Sequence, residues 1–384
     1  MNVNLKLSTI KKEKLVDLII QSLCISTVLF TILYYLAGYF AIPTEYSEPS
    51  REFKFIYENL VLKFYAVVNG SLLILLYLTI SRKIVISYMI LLSSLTFLII
   101  ILVSIKFPTS MYYFALINIY VLFYIFTKYN YEFKLSKITI FILLIYLITP
   151  IILVSFVSLH SILEVIPPLY FSESFRGFSF DRVFYSLLVG YMILVILVEK
   201  NFRYILPILI YGLFIAESRA AILAVFIAIV YYYKSSRKIV FTVSVLGVVF
   251  ILLYILFSNR SDITTDGDRL NFYIYMLYHL ISSPKVFLFG SGEFYTSIKS
   301  INIIPHNWVL QTILNFGVIG LFTWTVLLYN LWLKLNLHGR VFLVYQLILG
   351  LLQPGYDALM LLPFSAFGYY LAIFYGRDTK DIRI

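Results

Sequence analysis

The sequence predicts an all-α, polytopic integral membrane protein with about twelve transmembrane helices and both termini inside. Three observations predict it. Of 384 residues, 61% are hydrophobic and 13% charged, against about 45–50% and about 25% in soluble domains. The apolar residues are gathered into runs, many of them near the length of about 20 that crosses a hydrocarbon core. Basic residues fall alternately on two sides of those runs.

The expected spans are about 16–40, 57–80, 84–105, 111–127, 138–159, 183–199, 204–217, 219–233, 239–258, 308–333, 341–354 and 358–376. The first is too long for the apolar stretch of a cleaved signal peptide and lacks a small-residue cleavage site. It holds the only cysteine, Cys24, so neither an intrachain disulfide nor a thiolate metal site is expected. Tyr204–Tyr233 is read as two short spans, because Glu217-Ser218-Arg219 interrupts it. One helix of that length would run about 45 Å against a core of about 30 Å. Two short spans put the turn in a recess below the outer surface. No internal repeat or domain linker is evident, so residues 1–384 form a single membrane domain.

Taking the breaks alternately, side one holds the N-terminus, Ser81–Lys83, Lys128–Lys137, Lys200–Arg203, Lys234–Lys238, Lys334–Arg340 and the tail from Arg377. It carries 19 of the 30 Lys and Arg and 6 of the 19 acids, a net +13, while the other side nets −2. Short basic loops stay in the cytoplasm. The formal charge of +11 is therefore a topology signal, and no nucleic-acid partner is expected.

Two outer loops are long, residues 160–182 and 259–307. Long ordered loops on a rigid scaffold are where function concentrates. The second opens on turn chemistry at Thr265–Asp268, continues through a helix-compatible aromatic stretch over Arg269–Ser282, breaks at Pro284, and ends Pro305-His306-Asn307-Trp308. Arg219, Arg269, Arg176 and His306 are the outer-face groups able to do chemistry. A guanidinium offers a planar fork of donors to phosphate oxygens. An imidazole can accept a proton from a hydroxyl.

Plainer readings compete with each. Arg176 and Arg182 fit solvated loop charges. Arg269 fits a pair with Asp266 or Asp268, and Arg219 a pair with Glu217. His306 fits an interfacial helix start. Asp266-Gly267-Asp268 could be paired metal carboxylates, but Asp-Gly is first a turn. Glu45, Glu48 and Glu52 show no pattern, and His160, His279, His306 and His338 have no ligand spacing. Neither a metal nor a cofactor is expected.

Ser218-Arg219-Ala220-Ala221 before an apolar helix resembles the Ser-Arg-small-small signature of the O-antigen ligase and O-antigen polymerase superfamily (WaaL and Wzy). Asp268-Arg269 with Gly290-x-Gly292 about 20 residues on is similar to that family's long periplasmic loop. His306-Asn307, with Gly317-x-x-Gly320 in the next span, matches its His-Asn element, and Arg176-Gly177 its Arg-x-Gly patch. The likeness covers residues 176–320; Phe180-Asp181-Arg182 departs from it, where many members have Pro-Asn.

The resemblance implies a GT-C-like architecture in the bacterial inner membrane and a site facing the periplasm. The implied activity is metal-independent, inverting glycosyl transfer from undecaprenyl-diphosphate-linked oligosaccharide, which serves as donor and acceptor. Membrane lipid and a chain-length regulator protein are the further partners. Arg219 and Arg269 would neutralise the diphosphate, and His306 would activate the acceptor hydroxyl. Arg176, Asn307, Gly290, Gly292 and Glu293 would bind substrate, Glu293 being the next candidate base. Usage rich in Tyr and Phe, 34 of each, is like that of polymerases, with the ligase as alternative. A lipid-linked oligosaccharide flippase is the alternative of another class. Transporters place charge at the midplane, and these spans are nearly free of it.

Overall fold

The computed structural model describes residues 2–41, 60–80, 135–156, 169–171, 174–179, 182–236, 274–290 apart from 275 and 279, 296–298, 301–303, 307–352 and 363–376. Within them the helices are α1 (Asn2–Ala41), α2 (Leu62–Ile80), α3 (Lys137–Phe156), α4 (Arg182–Glu199), α5 (Leu206–Ile215), α6 (Arg219–Tyr232), α7 (Pro284–Phe289), α8 (Trp308–Lys334), α9 (Leu337–Leu352) and α10 (Pro363–Tyr375). Nine of the expected spans coincide with helices, while 84–105, 111–127 and 239–258 lie outside the described residues.

Two short antiparallel ribbons depart from the all-α expectation. β1 (Tyr170–Phe171) pairs with β2 (Ser174–Phe175), and β3 (Thr296–Ile298) with β4 (Ile301–Ile303). Both fall in the long loops. Helix α1 also starts well before the apolar run, because the Lys, Glu and Leu residues ahead of it are good helix formers that hydropathy does not register.

Among the described residues, five helices are long and apolar enough to cross a membrane: Lys14–Ala41, Leu62–Thr79, Lys137–Ser155, Arg182–Glu199 and Phe316–Lys334. Their outward faces stay apolar. Leu18, Phe64, Val67, Leu78, Ile138, Phe141 and Phe322 are all exposed, a surface suited to acyl chains and not to water. The fold is that of a helical membrane protein.

Helix α4 is the centre of the bundle, buried almost throughout from Val183 to Ile196. Its contacts use glycine where helices come close. A Cβ at Gly190 would collide with the Tyr345 hydroxyl of α9, which donates to the Leu187 carbonyl at 3.0 Å. Small residues at close interfaces let backbones approach in a bilayer. Ala220, Ala224 and Ala228 make such a stripe along the buried side of α6.

One end of the bundle collects the described residues in or beside the basic breaks at 128–137, 200–203, 234–238 and 334–340. The Leu135 amide donates to Glu199 Oε1 at 3.0 Å, and the Tyr375 hydroxyl donates to the same carboxylate. The Ser136 amide reaches Gln21, and the Asn336 amide reaches the Gly376 carbonyl at 2.6 Å. Tyr231 packs on Trp332 and Tyr232 on His338, with ring centroids 5.7 and 5.8 Å apart. Arg203 acts electrostatically on Tyr232.

The chain breaks between α5 and α6 at Glu217-Ser218. Arg203 ahead of α5 and Tyr232 at the end of α6 lie within electrostatic reach of each other, as a reversal of the chain at that break would place them. Glu217 has φ +50°, the left-handed value such a reversal uses. With 10 and 14 residues, the arms are about 15 and 21 Å long, shorter than a core of about 30 Å.

Candidate functional site

At the other end, the β1–β2 ribbon presents Arg176. Its side chain is 0% exposed, and its guanidinium carbon lies 4.6 Å from the centroid of the Tyr39 ring on α1. The backbone around it is closed by Arg176 N to the Leu169 carbonyl at 2.9 Å and Ser179 N to the Arg176 carbonyl at 3.1 Å. From α3, Tyr146 donates to the Phe178 carbonyl at 2.8 Å. Gly177, with φ +55°, lies against the Tyr185 ring and leaves no room for a Cβ. A buried guanidinium needs such a cage. The solvated-charge reading of Arg176 is therefore corrected: it is an interior residue that docks the loop on α1, α3 and α4.

Tyr185 also connects this loop to α5. Its hydroxyl donates to the Leu147 carbonyl at 2.8 Å and faces Gly212 of α5. One turn further on stands the head of α6. Ser218 occupies the N-cap position but its hydroxyl makes no cap bond; the residue is 2% exposed and its Oγ has no hydrogen-bond partner. Arg219, the first residue of α6, is exposed. The first amides of a helix have no intrahelical acceptor and carry the positive end of its dipole. Exposed Arg219, those amides and an unsatisfied hydroxyl share one helix head, which is a setting for an anion.

Helix α8 begins at the same end of the bundle. Asn307 caps α8 through Oδ1, accepting from Val309 N at 2.8 Å and Leu310 N at 3.3 Å, while its Nδ2 donates to the Leu351 carbonyl at 3.3 Å. The carboxamide expected on substrate is thus used to join α8 to the end of α9. Because Tyr232 of α6 meets His338 of α9, these helices run antiparallel. Counting 13 residues from Tyr232 back to Arg219, and 13 from His338 on to Leu351, advances both by about 20 Å. On parallel axes this count puts Arg219 near the level of the carbonyl that Asn307 holds.

Gly290 ends α7 with φ +81°, its amide donating to the Val286 carbonyl at 2.8 Å. The loop containing it leans on α8. Met276 and Leu280 bury against Leu314, and a Cβ at Gly317 would strike the Leu288 carbonyl. Gly317 has φ +68° and kinks α8 there. The Gly317-x-x-Gly320 element so acquires a physical role, a kink that receives the loop backbone.

Arg219 and Asn307 fall at the same end of the bundle, where Arg176 is enclosed. His306, Arg269, Gly292 and Glu293, together with Asp266 and Asp268, lie outside the described residues. Ser218 was not singled out on its own from sequence; serine before a helix reads as an ordinary cap, and only the missing cap bond sets it apart. No known family model matches the chain, and no curated protein matches it.

Proposed function

We propose that the protein is a surface-polysaccharide (O-antigen) polymerase that joins undecaprenyl-diphosphate-linked repeat units by metal-independent, inverting glycosyl transfer. The observation that carries this reading is the head of α6: exposed Arg219, the first amides of the helix and a Ser218 hydroxyl that makes no cap bond, at the break between two half-length helices. An anionic leaving group needs fixed, preorganised positive charge where its own charge develops. A recess in the bilayer lets a prenyl tail remain in lipid.

In this reading the basic end faces the cytoplasm and the α6 head opens on the periplasmic side of the bacterial inner membrane. The acceptor hydroxyl oxygen attacks the anomeric carbon of the donor sugar as its bond to the diphosphate breaks. The electron pair leaves with the diphosphate, held by Arg219 and Arg269, and the hydroxyl proton passes to His306. Arg176, enclosed against Tyr39, positions the outer loop. Within the described spans, Asp, Glu, Lys and Arg stand near helix ends and not mid-span, which favours a one-sided enzyme over an alternating-access flippase.

The test uses purified protein and lipid-linked repeat units. His306→Ala should leave single repeats unjoined, a loss of about 10²–10⁴ in rate for a general base. Turnover of the wild type should fall below a pH near 6.5, the ordinary histidine value. Chains formed by His306→Ala at the wild-type rate would overturn the acid–base part. Transport of the repeats without any joining by the wild type would favour the flippase.

A further inference from the structure

The first half of α8 is covered by the long loop. Among the described residues from Trp308 to Gly320 none is exposed, whereas Phe322, Thr325, Tyr329 and Leu333 beyond them are. The cover is a helical stretch, 274–282 apart from 275 and 279, followed by α7, which packs on α8. Met276 and Leu280, four residues apart, bury against Leu314, with Val286 packed beside them. Ile274, Leu277, Tyr278 and Ile281 recur at three- and four-residue spacing, the pattern of a single helix face, and that face is the opposite one. All four are exposed, Tyr278 by 71% and Ile281 by 69%, as are Phe287 and Leu288 of α7. The loop hides one apolar surface of α8 and presents another in its place.

The level of that surface follows from α8 itself. The part of α8 long and apolar enough to cross a membrane is Phe316–Lys334, and Lys334 stands at the basic end. The 17 residues from Lys334 back to Gly317 span about 25 Å, against a core of about 30 Å. Leu288 meets Gly317, since a Cβ there would strike its carbonyl. The loop backbone at Leu288 is therefore about 5 Å inside the edge of the core that lies away from the basic breaks. Helices lying in an interface bury their apolar faces about 5–10 Å into the boundary of headgroups and acyl chains. Composition agrees with that place. No acidic residue occurs from Leu270 to Gly292, and exposed Lys285 carries a stem long enough to reach lipid phosphates. Along α8 the surface continues into Phe322, which already belongs to the lipid-facing side.

We propose that residues 274–289 form an interfacial anchor, with the Ile274, Leu277, Tyr278 and Ile281 face seated among the acyl chains of the phospholipid leaflet away from the basic breaks. The occupant is bulk phospholipid. The anchor ties the long loop to that leaflet whatever reaction the protein performs.

The test is spin-label depth in the full chain, with Cys24→Ala as background, in nanodiscs of phosphatidylethanolamine and phosphatidylglycerol. Single labels are attached at Leu277→Cys and Ile281→Cys. Phe322→Cys serves as the acyl-chain reference and Ser235→Cys as the aqueous one. All four positions are exposed, so a label displaces no packing. Oxygen concentrates among acyl chains and a nickel chelate in water, and the ratio of their relaxation effects reads depth. Labels at 277 and 281 should be relaxed mainly by oxygen, at about 5–10 Å below the phosphates and between the two references. Nickel-dominated relaxation at both sites, as at Ser235, would place the face in water and overturn the anchor. Loss of access to both reagents would mean that protein covers the face, and broadening between labels would identify that protein as a second copy of this chain; either result overturns the anchor as well.

Discussion

The side-chain amide of Asn307 donates to the Leu351 carbonyl at 3.3 Å. Together with its cap bonds, this joins the start of α8 to the end of α9 at the level where Arg219 opens α6. One residue therefore fixes the start of α8 against the end of α9.

Asn307→Ala should destabilise the protein by about 1–2 kcal/mol, the usual cost of losing an N-cap, and Asn307→Asp should recover much of it by capping through a carboxylate. Thermal unfolding in detergent checks this. An alanine variant as stable as wild type would mean that the cap and the tie to α9 contribute nothing.

Ser218→Ala should behave in the opposite way. The hydroxyl makes no cap bond, so its removal should cost no stability, while affinity for undecaprenyl diphosphate should fall. A drop of about 1 kcal/mol in stability, as for an ordinary cap, with unchanged affinity would return Ser218 to a structural role.

Much of this was legible in the sequence, for reasons that also explain the rest. Glu217-Ser218-Arg219 announced the break because charge inside a long apolar run is costly and 30 residues are too many for one crossing. Among the described residues, the breaks around Leu135, Lys200, Lys234 and Asn336 meet at one end, as alternate breaks do when successive spans return the chain. The burial of Arg176 was not legible, since Tyr39, whose ring it faces, and Tyr146, which holds the Phe178 carbonyl of its loop, are distant in sequence. Nor was the role of Gly317 beyond its presence in a motif. A positive φ there is set by the backbone of Leu288, supplied by another element.

Gly317→Ala should release the loop from α8, because a Cβ meets the Leu288 carbonyl and φ +68° is unfavourable for alanine. Limited proteolysis next to Lys285 should accelerate several-fold. An unchanged cleavage rate would show that the kink tolerates a side chain.

Polymer formation should survive EDTA, since the proposed transfer uses guanidinium groups for the diphosphate charge. Among the described residues no three His, Cys, Asp or Glu side chains converge. Activity lost with EDTA and restored by a divalent cation would revive the Asp266 and Asp268 carboxylates as ligands.

Orientation can be read with single cysteines, because Cys24 is buried and should not compete for a reagent. Cysteines at Ser174 and Ser297 should label from outside intact inner-membrane preparations, and those at Ser136 and Ser236 only after permeabilisation. Labelling of Ser236 from the outside would place the α6 head on the wrong face.

The most direct test of the central claim is polymer formation by Arg219 variants expressed at wild-type level in the membrane. The account predicts that Arg219→Ala abolishes chains and that Arg219→Lys restores little, since a point charge does not replace a bidentate guanidinium at a diphosphate. Chains of normal amount and length from Arg219→Ala would contradict it.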